Sequence, residues 1–150
     1  MLKIIVAGAA GRMGKRIIAM AAENASTELA GAFERADHDT IGQDAGAVAG
    51  TGELGVTIAG SLSEVINKGE VLIDFTTPEA TLANLRVASE KGLPIVIGTT
   101  GITGDSLKEA EDLARKTRCV MAPNMSVGVN VMFKIAGEMA RILGSEYDME

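Results

Sequence analysis

Two patterns of apolar residues alternate along the chain. Short unbroken runs at residues 4–7, 29–33, 71–75 and 94–98 give way to segments in which apolar residues recur at every third or fourth position. A run of four or five apolar residues bounded by turn formers predicts a strand buried on both faces, and the three-to-four spacing predicts a helix with one face on a core. Two lesser stretches, 56–59 and 120–122, predict further strands. Strands alternating with helices at this spacing imply βαβ units and a parallel sheet covered on both sides.

The predicted helix ends carry their own signals. Ser61-Leu62-Ser63-Glu64 reads as a capping box opening a short helix that stops at Gly69. Thr77 suits the cap and Pro78 the first turn of a helix carrying Ala80, Ala83, Leu85, Val87 and Ala88 as far as Gly92. Thr103 or Asp105 leads the next, with Leu107, Ala110 and Leu113 on one face. The last helix, 127–143, spaces Val129, Met132, Phe133, Ala136, Met139, Ala140 and Leu143 for burial, and its methionines read as core filler. Asp74 is the one polar residue in the 71–75 run.

Chemistry enters at Gly8-Ala9-Ala10-Gly11-Arg12-Met13-Gly14, between the first predicted strand and the helix over 15–22. A helix N-terminus presents N–H groups without internal acceptors and a partial positive charge, so a phosphate fits there if the backbone can approach it. Gly8 supplies the turn, Gly11 leaves room for a pyrophosphate, and Gly14 permits close packing. The spacing is G-x-x-G-x-x-G rather than G-x-G-x-x-G, with Ala10 at the usual middle glycine. A Gly-rich turn without a ligand is the plain alternative.

About 20 residues later the dinucleotide fingerprint calls for a carboxylate at the end of the second strand. Glu34 closes the run over 29–33 and Arg35 follows it. Glu34 suits the ribose hydroxyls of NADH, and Arg35 suits the 2′-phosphate of NADPH; the plain alternative is a surface ion pair. The fold predicted is therefore α/β, a Rossmann-like doubly wound parallel sheet with helices on both faces. In such sheets ligands lie beyond the carboxyl ends of the strands, where Phe75, Thr76, Gly98, Thr99, Thr100, Ala122 and Asn124 also fall. Thr99 and Thr100 suit the nicotinamide ribose, and backbone groups near Ala122 and Asn124 the carboxamide. Capping hydroxyls and an Asx-turn are their alternatives. The polar, glycine-rich stretch 35–55 is either a cover near the adenosine end or a surface loop.

Composition narrows the setting. The 150 residues are 47% hydrophobic and 23% charged, and the net charge of −6 argues against nucleic acid or an anionic membrane as partner. No apolar run approaches a membrane span and the chain opens on a strand, so a cytoplasmic location is expected. Cys119, the only cysteine, sits in an apolar run and reads as a buried structural thiol; His38 stands alone, so no metal site is expected.

Taken in order, Gly8-Ala9-Ala10-Gly11-Arg12-Met13-Gly14, Phe33-Glu34-Arg35, Asp74-Phe75-Thr76, Gly98-Thr99-Thr100-Gly101 and the segment Ala122-Pro123-Asn124-Met125-Ser126-Val127-Gly128-Val129-Asn130 resemble the dihydrodipicolinate reductase family, the 4-hydroxy-tetrahydrodipicolinate reductases of diaminopimelate and lysine biosynthesis. The resemblance runs the length of the chain. It implies hydride transfer from NADH or NADPH to a cyclic unsaturated dicarboxylate, giving tetrahydrodipicolinate. It carries cofactor binding onto Gly8, Ala9, Ala10, Gly11, Arg12, Met13, Glu34, Arg35, Gly98, Thr99, Thr100, Ala122, Pro123, Asn124 and Met125, with Phe75 and Thr76 close by.

The resemblance also implies a division at residue 144: a dinucleotide-binding domain over 1–144, and 145–150 as the start of the linker or strand into a second domain for substrate binding and tetramer assembly. The family's histidine pair, lysine and Asp-Ala-Pro-Ser-Gly-Thr segment have no counterpart here, so no catalytic residue is assigned. The chain is expected to bind dinucleotide, to turn over little substrate, and to be a monomer or weak dimer where the family forms homotetramers. Two other readings stand beside this one. The first is another class of nicotinamide-dependent dehydrogenase sharing the domain, and the second a non-catalytic module that senses a nucleotide or CoA.

Overall fold

The first apolar run extends as β1 (Leu2–Ala7), and its alternation decides both layers of the molecule. Ile4 and Val6 face one core, while Ile5 and Ala7 face the other. The computed structural model describes residues 1–148; Met149 and Glu150 lie outside the described residues. After β1 come α1 (Arg12–Glu23), β2 (Thr27–Phe33), α2 (Ala45–Ala49), β3 (Ile58–Ala59), α3 (Leu62–Val65) with a 3-10 turn (Ile66–Lys68), β4 (Val71–Asp74) and α4 (Pro78–Lys91). Then follow β5 (Ile95–Ile97), α5 (Gly104–Ala114), β6 (Cys119–Met121), α6 (Val127–Leu143) and a second 3-10 turn (Gly144–Glu146).

The strands form one sheet in the order β3-β2-β1-β4-β5-β6, with every neighbouring pair parallel. This is the doubly wound Rossmann order, and the winding reverses between β1 and β4, where such sheets open a crevice at their carboxyl ends. On one face Ile5, Leu72, Ile95 and Ile97 pack under Leu82, Leu85 and Ala88 of α4 and Ala110 of α5. On the other, Ile4, Val6, Leu29 and Ala32 pack under Ile18 and Ala21 of α1 and Ala45 of α2. Burying a branched side chain of this size contributes roughly 1.5–3 kcal/mol, so the two layers hold the strand ends in fixed register.

Several expectations need correction. The stretch 35–55 is not featureless: Asp44 caps α2 and gathers the N–H groups of Gly46, Ala47, Leu54 and Val56. Ser61 caps no backbone N–H, since its hydroxyl donates to Glu64 Oε1 at 2.8 Å instead. The 71–75 strand stops at Asp74 and is buried only at alternate positions. Thr77 does cap α4 through Ala80 N–H, and Gly92 ends that helix in the left-handed conformation.

α6 forms as predicted but is not core. Met132, Phe133 and Met139 are 57%, 59% and 51% exposed, and only Val129 and Ala136 are partly covered. Periodicity reports that a face is apolar, not that this chain supplies what covers it. The chain leaves α6 through the 3-10 turn at Gly144–Glu146, and the end of the segment expected to lead into a second domain, Met149 and Glu150, lies outside the described residues.

Candidate functional site

At the end of β1 the backbone turns at Gly8, whose φ of +63° disfavours any residue with a Cβ. Gly11 N–H closes the turn on Gly8 O at 2.9 Å, and Gly11 then stands as the N-cap of α1 with no side chain to offer. The first-turn N–H groups of Arg12, Met13 and Gly14 have no acceptor within the helix. A Cβ on Gly14 would lie 2.0 Å from Gly8 O. This glycine brings the helix start against the turn, a contact closer than the strand packing expected of it.

β2 ends beside this turn. Glu34 Oε2 accepts from Ala10 N–H at 3.2 Å and Oε1 from Arg35 N–H at 3.1 Å, so its carboxylate is held at the rim of the glycine turn. The Arg35 guanidinium is exposed and lies 3.8 Å from Asp37. Between these groups and α4 opens a cleft of about 570 Å³. Gly8, Gly11, Glu34 and Arg35 line one side, Gly60 to Ser63 a second, and Phe75, Thr76, Ala80, Ala83 and Val87 the third. Its apolar wall on α4, across from Glu34, suits a flat heterocycle.

The far side of the edge is built differently. Asp74, fully buried at the end of β4, accepts at Oδ1 from Thr76 N–H (3.0 Å), Thr76 Oγ1 (2.6 Å) and Thr81 Oγ1 (3.0 Å), and at Oδ2 from Asn84 Nδ2 (2.8 Å). Thr99 joins the cluster, since its hydroxyl accepts from Thr81 Oγ1 at 2.7 Å and from Thr76 N–H at 3.0 Å. Phe75 lies across Gly98, where a Cβ would come within 2.0 Å of the ring. The Thr76 methyl sits 2.8 Å from the place a Gly8 Cβ would take.

The comparisons with known proteins can be set beside this geometry. The family described as "Dihydrodipicolinate reductase, N-terminus" matches residues 2–125. The chain belongs to the dihydrodipicolinate reductase family. It is 53% identical over all 150 residues to the 4-hydroxy-tetrahydrodipicolinate reductase of Geobacter sulfurreducens, and 45% identical to that of Syntrophus aciditrophicus. In both cases it spans 56% of the relative's length, about half of the curated relatives it matches. Among solved structures, a dipicolinate-bound dihydrodipicolinate reductase from Paenisporosarcina superposes with a TM-score of 0.73 at 27% identity, covering 93% of this chain and 54% of that one. An amine dehydrogenase from Mycobacterium smegmatis, at 21% identity and a TM-score of 0.66 over 80% of this chain and 38% of that one, shares the fold.

Within this reductase-family domain the residues singled out in the sequence fall along one edge. Gly8 to Met13, Glu34, Arg35, Phe75, Thr76 and Gly98 to Thr100 all stand at carboxyl ends of strands or just beyond. Thr99 is 7% exposed and its hydroxyl is bonded inside the protein, whereas Thr100 is exposed. Ala122 follows β6, with Pro123, Asn124 and Met125 exposed beyond it. Asn124 Oδ1 accepts from Ser126 N–H at 2.8 Å, which is the Asx-turn, and its carbonyl accepts from Asn130 Nδ2 at 3.1 Å.

Residues 36–56 do not line the cleft, and their apolar members pack toward α1. Sequence reasoning missed Thr81, Asn84 and the Gly60 to Ser63 wall. The lone polar Asp74 in an apolar run was the signal for the first two, because a buried carboxylate demands donors from whatever packs over it. Cys119 is half-buried rather than buried, and burial pushes its thiol up, away from the reactive thiolate. His38 bonds to its own loop at Thr40 and lies away from the cleft.

Proposed function

We propose that this chain is the cofactor-holding half of an enzyme that reduces 4-hydroxy-tetrahydrodipicolinate to tetrahydrodipicolinate with NADH or NADPH. The carrying observation is the uncapped start of α1, approached through Gly8 and Gly11 and flanked within hydrogen-bond reach by the Glu34 carboxylate. The donor set fits a dinucleotide. Arg12 and Met13 N–H groups would receive the pyrophosphate, Glu34 the adenosine ribose hydroxyls, and Arg35 a 2′-phosphate where one is present. The Thr100 hydroxyl and the backbone around Gly98, Ala122 and Asn124 would hold the other ribose and the carboxamide.

Bound there, the nicotinamide ring supplies the hydride; the chain's own residues bind it, orient it and leave one face open. Protonation and recognition of the dicarboxylate need groups that these residues do not provide, so the chain binds cofactor and turns over little or no substrate unaided. The full-length homotetramer is likewise assigned to the longer protein, with this chain a monomer or weak dimer in a cytoplasmic setting. Fluorescence titration with NADH tests the reading: saturable enhancement is expected, and a linear, non-saturating signal overturns it. Steady-state reduction at the rate of a full-length relative would overturn the claim of inactivity separately.

A further inference from the structure

We propose that Asp74 is a positioning residue: buried beneath the edge of the sheet, it sets the nicotinamide half of the groove by fixing Thr76 and Thr99, without touching the cofactor. This rests on the dinucleotide reading above. The pyrophosphate belongs at the turn after β1 and the adenosine ribose beside β2. The other half of the molecule must therefore run over β4 and β5, the strands Asp74 joins at their ends.

One carboxylate gathers partners from three separate pieces of chain. Thr76 comes from the β4–α4 turn, Thr81 and Asn84 from α4, and Thr99 from the loop after β5. The backbone carbonyl of Asp74 adds a further tie to the loop after β5 by accepting from Gly98 N–H at 2.9 Å. The Thr81 hydroxyl has a single hydrogen to share between Asp74 Oδ1 and Thr99 Oγ1 and so acts as the relay that links the two strand ends. No buried side-chain polar atom among the described residues lacks a partner, which leaves this cluster closed.

A closed cluster of this kind is stiff, because moving one member strands the others in a dry interior. What it stiffens is functional surface. Thr76 carries its methyl against Gly8 in the pyrophosphate turn, and Thr99 anchors the segment from Gly98 to Thr100. Preorganising that segment removes an ordering cost that the ligand would otherwise bear on binding. Glu34 has no part in the cluster, since it takes its bonds from Ala10 and Arg35, and the cluster meets the cleft beside it only through Thr76 and Asn84 on the opposite wall.

That separation makes the test. Calorimetric Kd values for NADH and for ADP, which lacks the nicotinamide riboside, are to be measured on the chain and on Asp74→Asn, a near-isosteric change that removes the charge and places an amide among donors. NADH binding is expected to weaken about tenfold while ADP binding stays within about twofold. Thr81→Val, which removes only the relay hydroxyl, should weaken NADH in the same selective way, and Thr81→Ser should restore it.

Equal losses for both ligands, or no loss for NADH in either Asp74→Asn or Thr81→Val, overturn the assignment. Should Asp74→Asn not fold, the Thr81 pair decides alone. Failure of the unaltered chain to bind either ligand would instead sink the dinucleotide reading itself.

Discussion

The two ends of the groove hold their carboxylates in opposite ways. Glu34 is partly exposed and bonded to two backbone N–H groups, and the Arg35 beside it is exposed and, among the described residues, answered only by Asp37 two residues on. Asp74 is fully buried and bonded to partners that lie 2, 7, 10 and 25 residues away. Exposed pairs of the first kind contribute about 0–1 kcal/mol, whereas stranding donors around a buried acceptor costs about 1–3 kcal/mol for each group. One end can therefore change its ligand preference at little cost to folding. The other is bound up with the stability of the sheet.

The sharpest way to break that contrast is to truncate both carboxylates. Asp74→Ala is expected to lose on the order of 3 kcal/mol or more in urea unfolding, since Thr81, Asn84 and Thr76 all lose an acceptor. Glu34→Ala should stay within about 1 kcal/mol of the parent yet weaken NADH roughly tenfold. A Glu34 variant that unfolds as readily as the Asp74 variant would erase the distinction between the two ends.

A smaller effect should appear at Arg35. Its 3.8 Å contact with Asp37, both side chains about three-quarters exposed, is a weak and screened pair. Arg35→Ala should weaken NADPH selectively and leave NADH nearly unchanged. Asp37→Ala, by freeing the guanidinium, should tighten NADPH by about two- to threefold at low salt. Equal loss of both cofactors in the Arg35 variant defeats the phosphate-pairing role.

How much of this was legible before the structure follows the same divide. The glycine turn, Glu34 and Arg35 lie within local patterns, and local patterns are what periodicity and motif spacing report. The parallel sheet could be reached too, because buried parallel strands write themselves as apolar runs, but such runs do not report the order in which the strands lie. Asp74 was visible as an oddity, but its partners were not, since Thr81 and Thr99 meet it only through the packing of α4 and β5.

α6 shows the opposite failure. Its stripe of Val129, Phe133, Ala136 and Ala140 was legible, yet what lies against a stripe is a tertiary fact that no spacing encodes. The Asp44 loop escaped notice because its order comes from one carboxylate bonded to backbone, which leaves no apolar rhythm to detect.

Asp44 supplies the mildest of the expected effects, and it tests whether a carboxylate can organise a loop without being buried like Asp74. The Leu54 and Ala47 N–H groups hold its carboxyl below the ordinary value of 3.8, against an opposing push from partial burial. A group whose pKa falls on folding contributes stability that is fully present above the unfolded value and drains away as pH drops through the folded one. Asp44→Asn should therefore lower the urea midpoint at neutral pH, and the gap from the parent should close as pH falls below the ordinary carboxyl value of 3.8. NADH affinity should hardly move, since residues 36–56 stay clear of the cleft. A gap that is constant with pH would mean that the loop is held by its shape, through Ala45 buried in the same core as Ile18, and not by the charge on Asp44.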